Sequence, residues 1–213
     1  MTKPWLKFYG DVPESLQYPD VTLYQALMGT VGKYPESVSY EFCGTTATYR
    51  ELGNELDQCD RALASLGLKE GDPITISMPT CPQGIICVYA AAKLGAVASM
   101  IHPLSPPKEI EFYLNVSKST FALTLDAFYP AFKQVQNQTG LEKLLLTRIP
   151  DYLRFPKNLG FWLTKGRKIP KVPDDPAVVW FRDLMRGSFP EVPAPDIGSD
   201  SLAVIMYSGG TTG

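Results

Sequence analysis

The stretch SLAVIMYSGGTTG, from Ser201 to Gly213, decides the fold. Its first half is a continuous apolar run, which is typical of a fully buried strand in a parallel sheet. Its second half consists of glycine and small hydroxyl residues. Glycine permits positive φ, so successive backbone N–H groups can point into one concavity and phosphate oxygens can approach closely. The stretch predicts a phosphate-binding loop at the carboxyl end of a strand, formed by Ser208, Gly209, Gly210, Thr211, Thr212 and Gly213.

This loop differs from two common nucleotide-binding sequences, because neither G-x-x-x-x-G-K-[ST] nor G-x-G-x-x-G occurs in it. The alternative interpretation is a flexible polar tail, since glycine and serine are also linker residues. The apolar strand directly before the loop favours phosphate binding, because linkers are not usually attached to a core strand.

Upstream of this stretch, apolar runs of strand length alternate with segments of helical periodicity. Thr48 and Glu51 fit a capping box at the start of one helix. Strands joined by helices indicate an α/β fold, in which a mostly parallel sheet carries helices on both faces. Strands are predicted at residues 38–42, 46–48, 73–78, 96–101, 120–125, 141–147 and 201–207, and helices at 22–34, 49–66, 80–94 and 108–118.

Composition divides the chain into four segments. Residues 1–20 contain three prolines and are predicted to form an irregular arm, and residues 21–147 form the α/β portion. Residues 148–200 are rich in proline and read as a basic excursion from the sheet. Residues 201–213 supply the last strand and the start of the phosphate-binding loop.

The segment 154–171 mixes basic and aromatic residues. Between residues 148 and 171 there are seven basic residues and one acid, interleaved with Phe155, Phe161 and Trp162. Such a segment can lie on an anionic membrane surface. The alternative is a solvated excursion, which the helix-breaking prolines favour.

The overall composition excludes several classes of protein. A net charge of -2 does not produce the positive field that would attract nucleic acid to the whole chain. The longest apolar runs are far shorter than the roughly 20 residues of a membrane span, and the N-terminus lacks the apolar core of a secretion signal. The expected location is therefore cytoplasmic, with peripheral membrane contact as an addition. The four cysteines are expected to be free thiols that pack in the core: Cys43, Cys59, Cys81 and Cys87.

A few polar residues are candidates for function. His102, the single histidine, follows a predicted strand and could line a ligand pocket, although a hydrogen-bonded loop histidine is the simpler interpretation. One histidine excludes a His-based metal site, and no metal ligands are predicted. The carboxylates Glu51, Glu55 and Asp60 are expected to form a helix cap and a solvated helix face.

Three motifs in this order carry a resemblance to a known family. They are TATYREL at residues 46–52, KLGAVASMIHP at 93–103 and YSGGTTG at 207–213. Together they resemble motifs of the adenylate-forming, AMP-binding enzymes. Gly209 stands where the common loop has serine, and this variant, with the stretch HPLSPPKEIEFYLN, is most similar to the long-chain fatty-acid CoA ligases.

The resemblance implies an activity and its substrates. A carboxylate, here that of a fatty acid, attacks the α-phosphate of ATP to give an acyl-adenylate and pyrophosphate, and the CoA thiol then displaces AMP to give the thioester. ATP, Mg²⁺ and CoA are thereby implied for the parent enzyme, with Ser208–Gly213 around the phosphates and Thr211 and Thr212 as the side-chain donors. The alternatives are a non-enzymatic nucleotide-binding or scaffold module, and a peripheral membrane-binding protein.

The family's loop continues into Pro-Lys-Gly, and its later motifs are not found in these 213 residues. The resemblance therefore predicts an N-terminal fragment that holds no catalytic residue, binds no cofactor and is inactive alone. A sheet that ends in an unpaired edge also predicts self-association.

Overall fold

The structure is a computed structural model that describes residues 3–207. The predicted phosphate-binding loop, Ser208–Gly213, lies outside the described residues. The helices are α1 Leu23–Lys33, α2 Tyr49–Ser65, α3 Pro82–Lys93, α4 Pro107–Ser117, α5 Tyr129–Val135, α6 Lys157–Thr164 and α7 Phe181–Leu184. The strands are β1 Val38–Phe42, β2 Thr45–Thr48, β3 Pro73–Ser77, β4 Val97–Met100, β5 Phe121–Leu125, β6 Lys143–Thr147, β7 Val178–Trp180 and β8 Val204–Met206.

Six strands form one parallel sheet in the order β7-β6-β5-β3-β4-β8. Every neighbouring pair in it is parallel, and β1 and β2 form a separate antiparallel pair. The predicted fold class, a mostly parallel α/β sheet, is confirmed. β8, the strand before the predicted loop, lies at one edge and β7 at the other.

Strands β3 to β6 are buried because both faces of the sheet are covered, whereas β8, which the sequence predicts to be fully buried, is only partly so. On β6, Leu145 belongs to the core that holds α2 and α3, whereas Leu144 and Leu146 belong to the core that holds α4 and α5. This alternation follows from the two-residue period of a strand. Because side chains on both faces are buried, the central strands are nearly continuous apolar runs in the sequence.

The helix starts follow from local side-chain chemistry. The Thr48 side chain accepts a hydrogen bond from the Glu51 N–H at 3.2 Å, and the Glu51 carboxylate accepts one from the Thr48 N–H at 2.7 Å. The predicted capping box is confirmed. Thr22 and Gln25 make the same reciprocal pair at α1. Helix α3 differs, since its N-cap is Cys81, whose side chain makes no capping hydrogen bond.

The proline-rich residues 148–200 contribute to the sheet. β7 pairs with β6 in parallel, with Leu145 opposite Val179. Phe181 and Leu184 of α7 are buried in the core. The sequence analysis predicted no strand here, because a strand of three residues gives too short a pattern for periodicity to detect. None of the helices within residues 3–207 is long and apolar enough to cross a bilayer.

One expectation about α2 is wrong. Asp60 was expected on a solvated face, but it is 1% exposed, and its Oδ2 lies 2.8 Å from the Lys93 Nζ of α3. Asp57 meets the same ammonium group at 2.8 Å. Burial raises the pKa of Asp60, and the neighbouring Lys93 opposes that rise. The lysine provides the compensating charge that allows a carboxylate between two helices.

Candidate functional site

The strand order reverses at the carboxyl edge of the sheet, between β3 and β5. These strands are neighbours, but the helices that follow them lie on opposite faces: α3 packs with α2, and α5 packs with α4. The loops that leave the two strands, residues 78–81 and 126–128, therefore diverge. Such a topological switch point is where open α/β sheets bind ligands.

β8 brings the last described residue to this edge. β8 runs parallel to β4, with Ser99 opposite Ile205. The Tyr207 hydroxyl lies 3.1 Å from the Ser99 Oγ, and its ring centre lies 4.4 Å from that of Tyr113 on α4. Tyr207 is thus held from two sides, by β4 and by α4, directly before the predicted loop in the sequence. The six loop residues themselves lie beyond the described part.

His102 follows β4 in the same region. Its side chain is exposed, and its Nδ1 accepts a hydrogen bond from the Leu104 N–H at 3.1 Å. The His102 carbonyl accepts another from the Ser105 N–H at 3.1 Å. These bonds shape the β4–α4 loop and leave the other ring nitrogen without a role in it. A pocket-lining role for His102 stays a prediction.

A second polar group lies at the ends of β5, β6 and β7, and the sequence analysis missed it. The Arg148 Nε lies 3.2 Å from the Asp126 Oδ2, and its guanidinium group lies 4.0 Å from the centre of the Trp180 ring. Burial raises the pKa of Asp126, and Arg148 opposes the rise. Burial also raises the pKa of Asp151, and the hydrogen bond that its carboxylate accepts from the Arg148 N–H opposes this rise. The available signal was that Asp126 and Arg148 each directly follow a predicted strand.

The cysteines have the packing role that the sequence predicts, with one exception. Cys59, Cys81 and Cys87 are buried free thiols, whereas Cys43 is free but exposed at a turn. A hydrogen bond to Cys87, together with burial, raises the pKa of the Cys59 thiol, so it stays protonated. Among residues 3–207, no group of three or more His, Cys, Asp or Glu side chains is arranged to hold a metal ion.

The strand order, with helices on both faces of a parallel sheet, defines a doubly wound α/β fold. A family model described as AMP-binding enzyme matches residues 28–213. The chain belongs to the AMP-binding enzyme family, which confirms the family that the three motifs predict.

Several curated relatives match almost the whole chain. The long-chain-fatty-acid–CoA ligase of Bacillus subtilis (strain 168) is 30% identical over 99% of this chain and 38% of the relative. The ligase of the same name from Escherichia coli O157:H7 is 29% identical over 100% of this chain and 39% of the relative. The chain thus spans about two fifths of the length of these relatives.

Solved structures show the same fold. The anthranilate CoA ligase AuaEII, in complex with anthranoyl-AMP, superposes with a TM-score of 0.73 at 20% identity, over 96% of this chain and 34% of that one. The N-terminal domain of FACL13 from Mycobacterium tuberculosis superposes with a TM-score of 0.68 at 22% identity, over 91% of this chain and 42% of that one. At these identities the likeness concerns the fold alone.

Proposed function

We propose that this chain forms the N-terminal part of an ATP-dependent acyl-CoA synthetase that activates a long-chain fatty acid. The observation that carries the proposal is Tyr207, which is held at the carboxyl end of the edge strand β8 and directly precedes SGGTTG in the sequence. The matched relatives are named as long-chain-fatty-acid–CoA ligases, which supports the substrate class.

In this proposal the chain's contribution is to position ATP. Ser208–Gly213 would hold the phosphates through backbone N–H groups and the hydroxyls of Thr211 and Thr212. Phosphoryl chemistry of this kind depends on positioning and charge stabilisation more than on covalent help from the protein. ATP, CoA and Mg²⁺ belong to the proposal, and no described residue is assigned to CoA or Mg²⁺.

Acyl-CoA formation from palmitate, ATP and CoA tests the proposal. We expect it from the protein in which this chain occurs, and we expect residues 1–213 alone to release no pyrophosphate. A Thr211→Ala/Thr212→Ala variant should raise the KM for ATP, whereas Thr139→Ala, at a distant turn, should not. The proposal is wrong if the protein makes no thioester with any fatty acid. It is also wrong in part if residues 1–213 release pyrophosphate at the rate of the whole protein.

We also propose that the segment 154–171 contacts an anionic membrane. Phe155, Leu159 and Leu163 are exposed on or next to α6, at helical spacing. Lys165 and Lys168 follow them and are exposed as well. Apolar groups beside lysines suit the boundary between lipid headgroups and acyl chains.

Vesicle flotation tests this contact. Each basic residue near an anionic surface contributes about 1 kcal/mol, so Lys165→Gln/Lys168→Gln should reduce binding to phosphatidylserine vesicles by roughly thirtyfold. Lys69→Gln/Lys118→Gln removes the same charge elsewhere and should bind as the unaltered chain does. Equal binding of both variants would refute the contact.

Self-association through β8 is the third proposal. Within the described residues β8 pairs only with β4, and Leu202 and Met206 beside this edge are exposed. Unpaired strand edges favour pairing with another chain, and lysine suppresses it. We expect concentration-dependent dimers in sedimentation velocity, weakened by Met206→Lys. A monomer at every concentration would contradict this.

A further inference from the structure

A cavity of about 560 Å³ lies at the carboxyl ends of β5, β6 and β7. This volume is within the usual range of about 300–1,000 Å³ for small-molecule sites. The ends of the strands form its floor, and residues 161–172 form its roof. The floor includes Asp126, Arg148, Asp151 and Arg182. The roof includes Phe161, Trp162, Arg167 and Lys171.

The floor is rigidly held and largely neutralised. Arg148 is paired with Asp126 at 3.2 Å and covers the Trp180 ring. The backbone carbonyl of Arg148 accepts a hydrogen bond from the buried Gln83 side chain at 3.0 Å. Asp151 accepts one from the Arg148 N–H at 3.1 Å and lies in the field of Arg182. Arg148, Asp126 and Asp151 are thus bonded to one another.

The cations of the roof lie beside apolar side chains. The Arg167 guanidinium lies 4.5 Å from the centre of the Trp162 ring. Like Arg182 in the floor, neither Arg167 nor Lys171 has a carboxylate within 4.0 Å among the residues that the structure describes. The remaining roof residues are mostly apolar. The roof therefore offers two available cations beside an aromatic and aliphatic wall, with Arg182 as a third cation of the lining.

We propose that this cavity binds an anionic amphiphile, a single aliphatic chain that ends in a carboxylate or phosphate. The chain would pack on Phe161 and Trp162, and the head would pair with Arg167 and Lys171. Charge-assisted hydrogen bonds of this kind hold oxyanions strongly in partly desolvated sites. The site is separate from the predicted ATP loop, because β7 and β8 are opposite edges of the sheet. It also rests on observations that are independent of the proposed ligase activity.

Trp162 provides the readout. In a Trp5→Phe/Trp180→Phe background it is the remaining tryptophan, since the chain has three. Three probes are titrated below their micellar concentrations: dodecanoate as a free fatty acid, lysophosphatidylglycerol as a lipid head on one chain, and the neutral dodecanol. We expect a saturable shift of Trp162 emission with at least one of the two anions, and at least tenfold weaker binding of dodecanol.

Two variants localise the binding. Arg167→Gln/Lys171→Gln removes the two cations of the roof and should weaken anion binding at least tenfold, since a hydrogen bond to a charged group is a strong one. Lys69→Gln/Lys118→Gln removes equal charge from exposed positions outside the lining and should change the affinity less than twofold. Gly166→Leu should block the cavity: its added Cβ would meet Trp162 Cδ1 and the Phe161 carbonyl at 3.6 Å, an ordinary contact.

The outcomes distinguish a free fatty acid from a lipid headgroup as the ligand, and they distinguish this site from the proposed ligase activity. A response to dodecanoate alone identifies a free fatty acid, and a response to lysophosphatidylglycerol alone identifies a lipid headgroup. No response to either, equal binding of dodecanol, or unchanged affinity in Arg167→Gln/Lys171→Gln overturns the site, provided that circular dichroism shows folded protein. Acyl-CoA formation is measured separately, so that failure of the ligase proposal leaves this test unaffected.

Discussion

Replacing Lys93 with methionine should destabilise the chain strongly. The Lys93 side chain is 13% exposed, and its ammonium group lies 2.8 Å from both Asp57 and Asp60. Methionine fills much of the same volume but provides no charge. Asp57 is 41% exposed and keeps solvent as a partner, whereas Asp60 is 1% exposed and does not. The cost therefore comes mainly from Asp60.

The magnitude follows from this burial. Removing one partner of a buried ion pair typically costs about 3–5 kcal/mol, because the other charge remains buried and uncompensated. For a chain of this size, 1 kcal/mol corresponds to a Tm change of roughly 2–4 °C. We therefore expect the Tm of Lys93→Met to fall by about 6–20 °C at pH 7.

The loss should shrink in acid. Burial already raises the pKa of Asp60 in the folded chain, and removing Lys93 raises it further. A folded-state pKa above the unfolded value means that protonation favours folding. The stability is thus greatest below the unfolded pKa and is lost as the pH rises through the folded pKa. The free energy of unfolding of Lys93→Met should therefore be closer to that of the unaltered chain near pH 4 than at pH 7.

Urea denaturation at both pH values, together with a double variant, tests this reasoning. Asp60→Asn in the Lys93→Met background removes the uncompensated charge and should recover most of the lost free energy of unfolding. A loss below about 1 kcal/mol in Lys93→Met would show that solvent reaches Asp60 and would refute the argument. A double variant no more stable than the single one would do the same.

Three further predictions concern single hydrogen-bonded contacts. Thr48→Ala removes the N-cap of α2 and should cost about 0.5–2 kcal/mol in urea denaturation. Hydrogen bonds from the Thr48 N–H, and secondarily from its hydroxyl, lower the pKa of Glu51, so the contribution of this carboxylate is present above the unfolded pKa and is lost as the pH falls through the folded one. Glu51→Ala should therefore lose more stability at pH 7 than at pH 3, and an equal loss at both would contradict this. Tyr207→Phe removes the contact with Ser99 and should cost about 0.5–1.5 kcal/mol, with faster amide exchange in β8; unchanged exchange there would show that the hydroxyl does not hold the strand.

The structure confirms most of the elements that the sequence predicts. The helices beginning after Thr22 and Thr48 and the strands β1 to β6 and β8 agree with the predicted ranges within a few residues. The start of the site was also predictable, because β8 and Tyr207 belong to the apolar run before the loop. The roles of Ser208–Gly213 and His102 stay predictions. The polar group around Arg148 was missed, since its members come from distant parts of the chain.

The sequence by itself determined the local features: where α2 begins, which residues of β3 to β6 are apolar, and the family to which the chain belongs. These depend on contacts between residues a few positions apart, or on short motifs, and both can be read directly. Only the tertiary structure decided that β7 joins the sheet, that Asp60 is buried against Lys93 and that residues 161–172 cover a cavity. Strand order and burial depend on backbone pairing and packing between distant segments, which a single sequence does not encode in any local pattern.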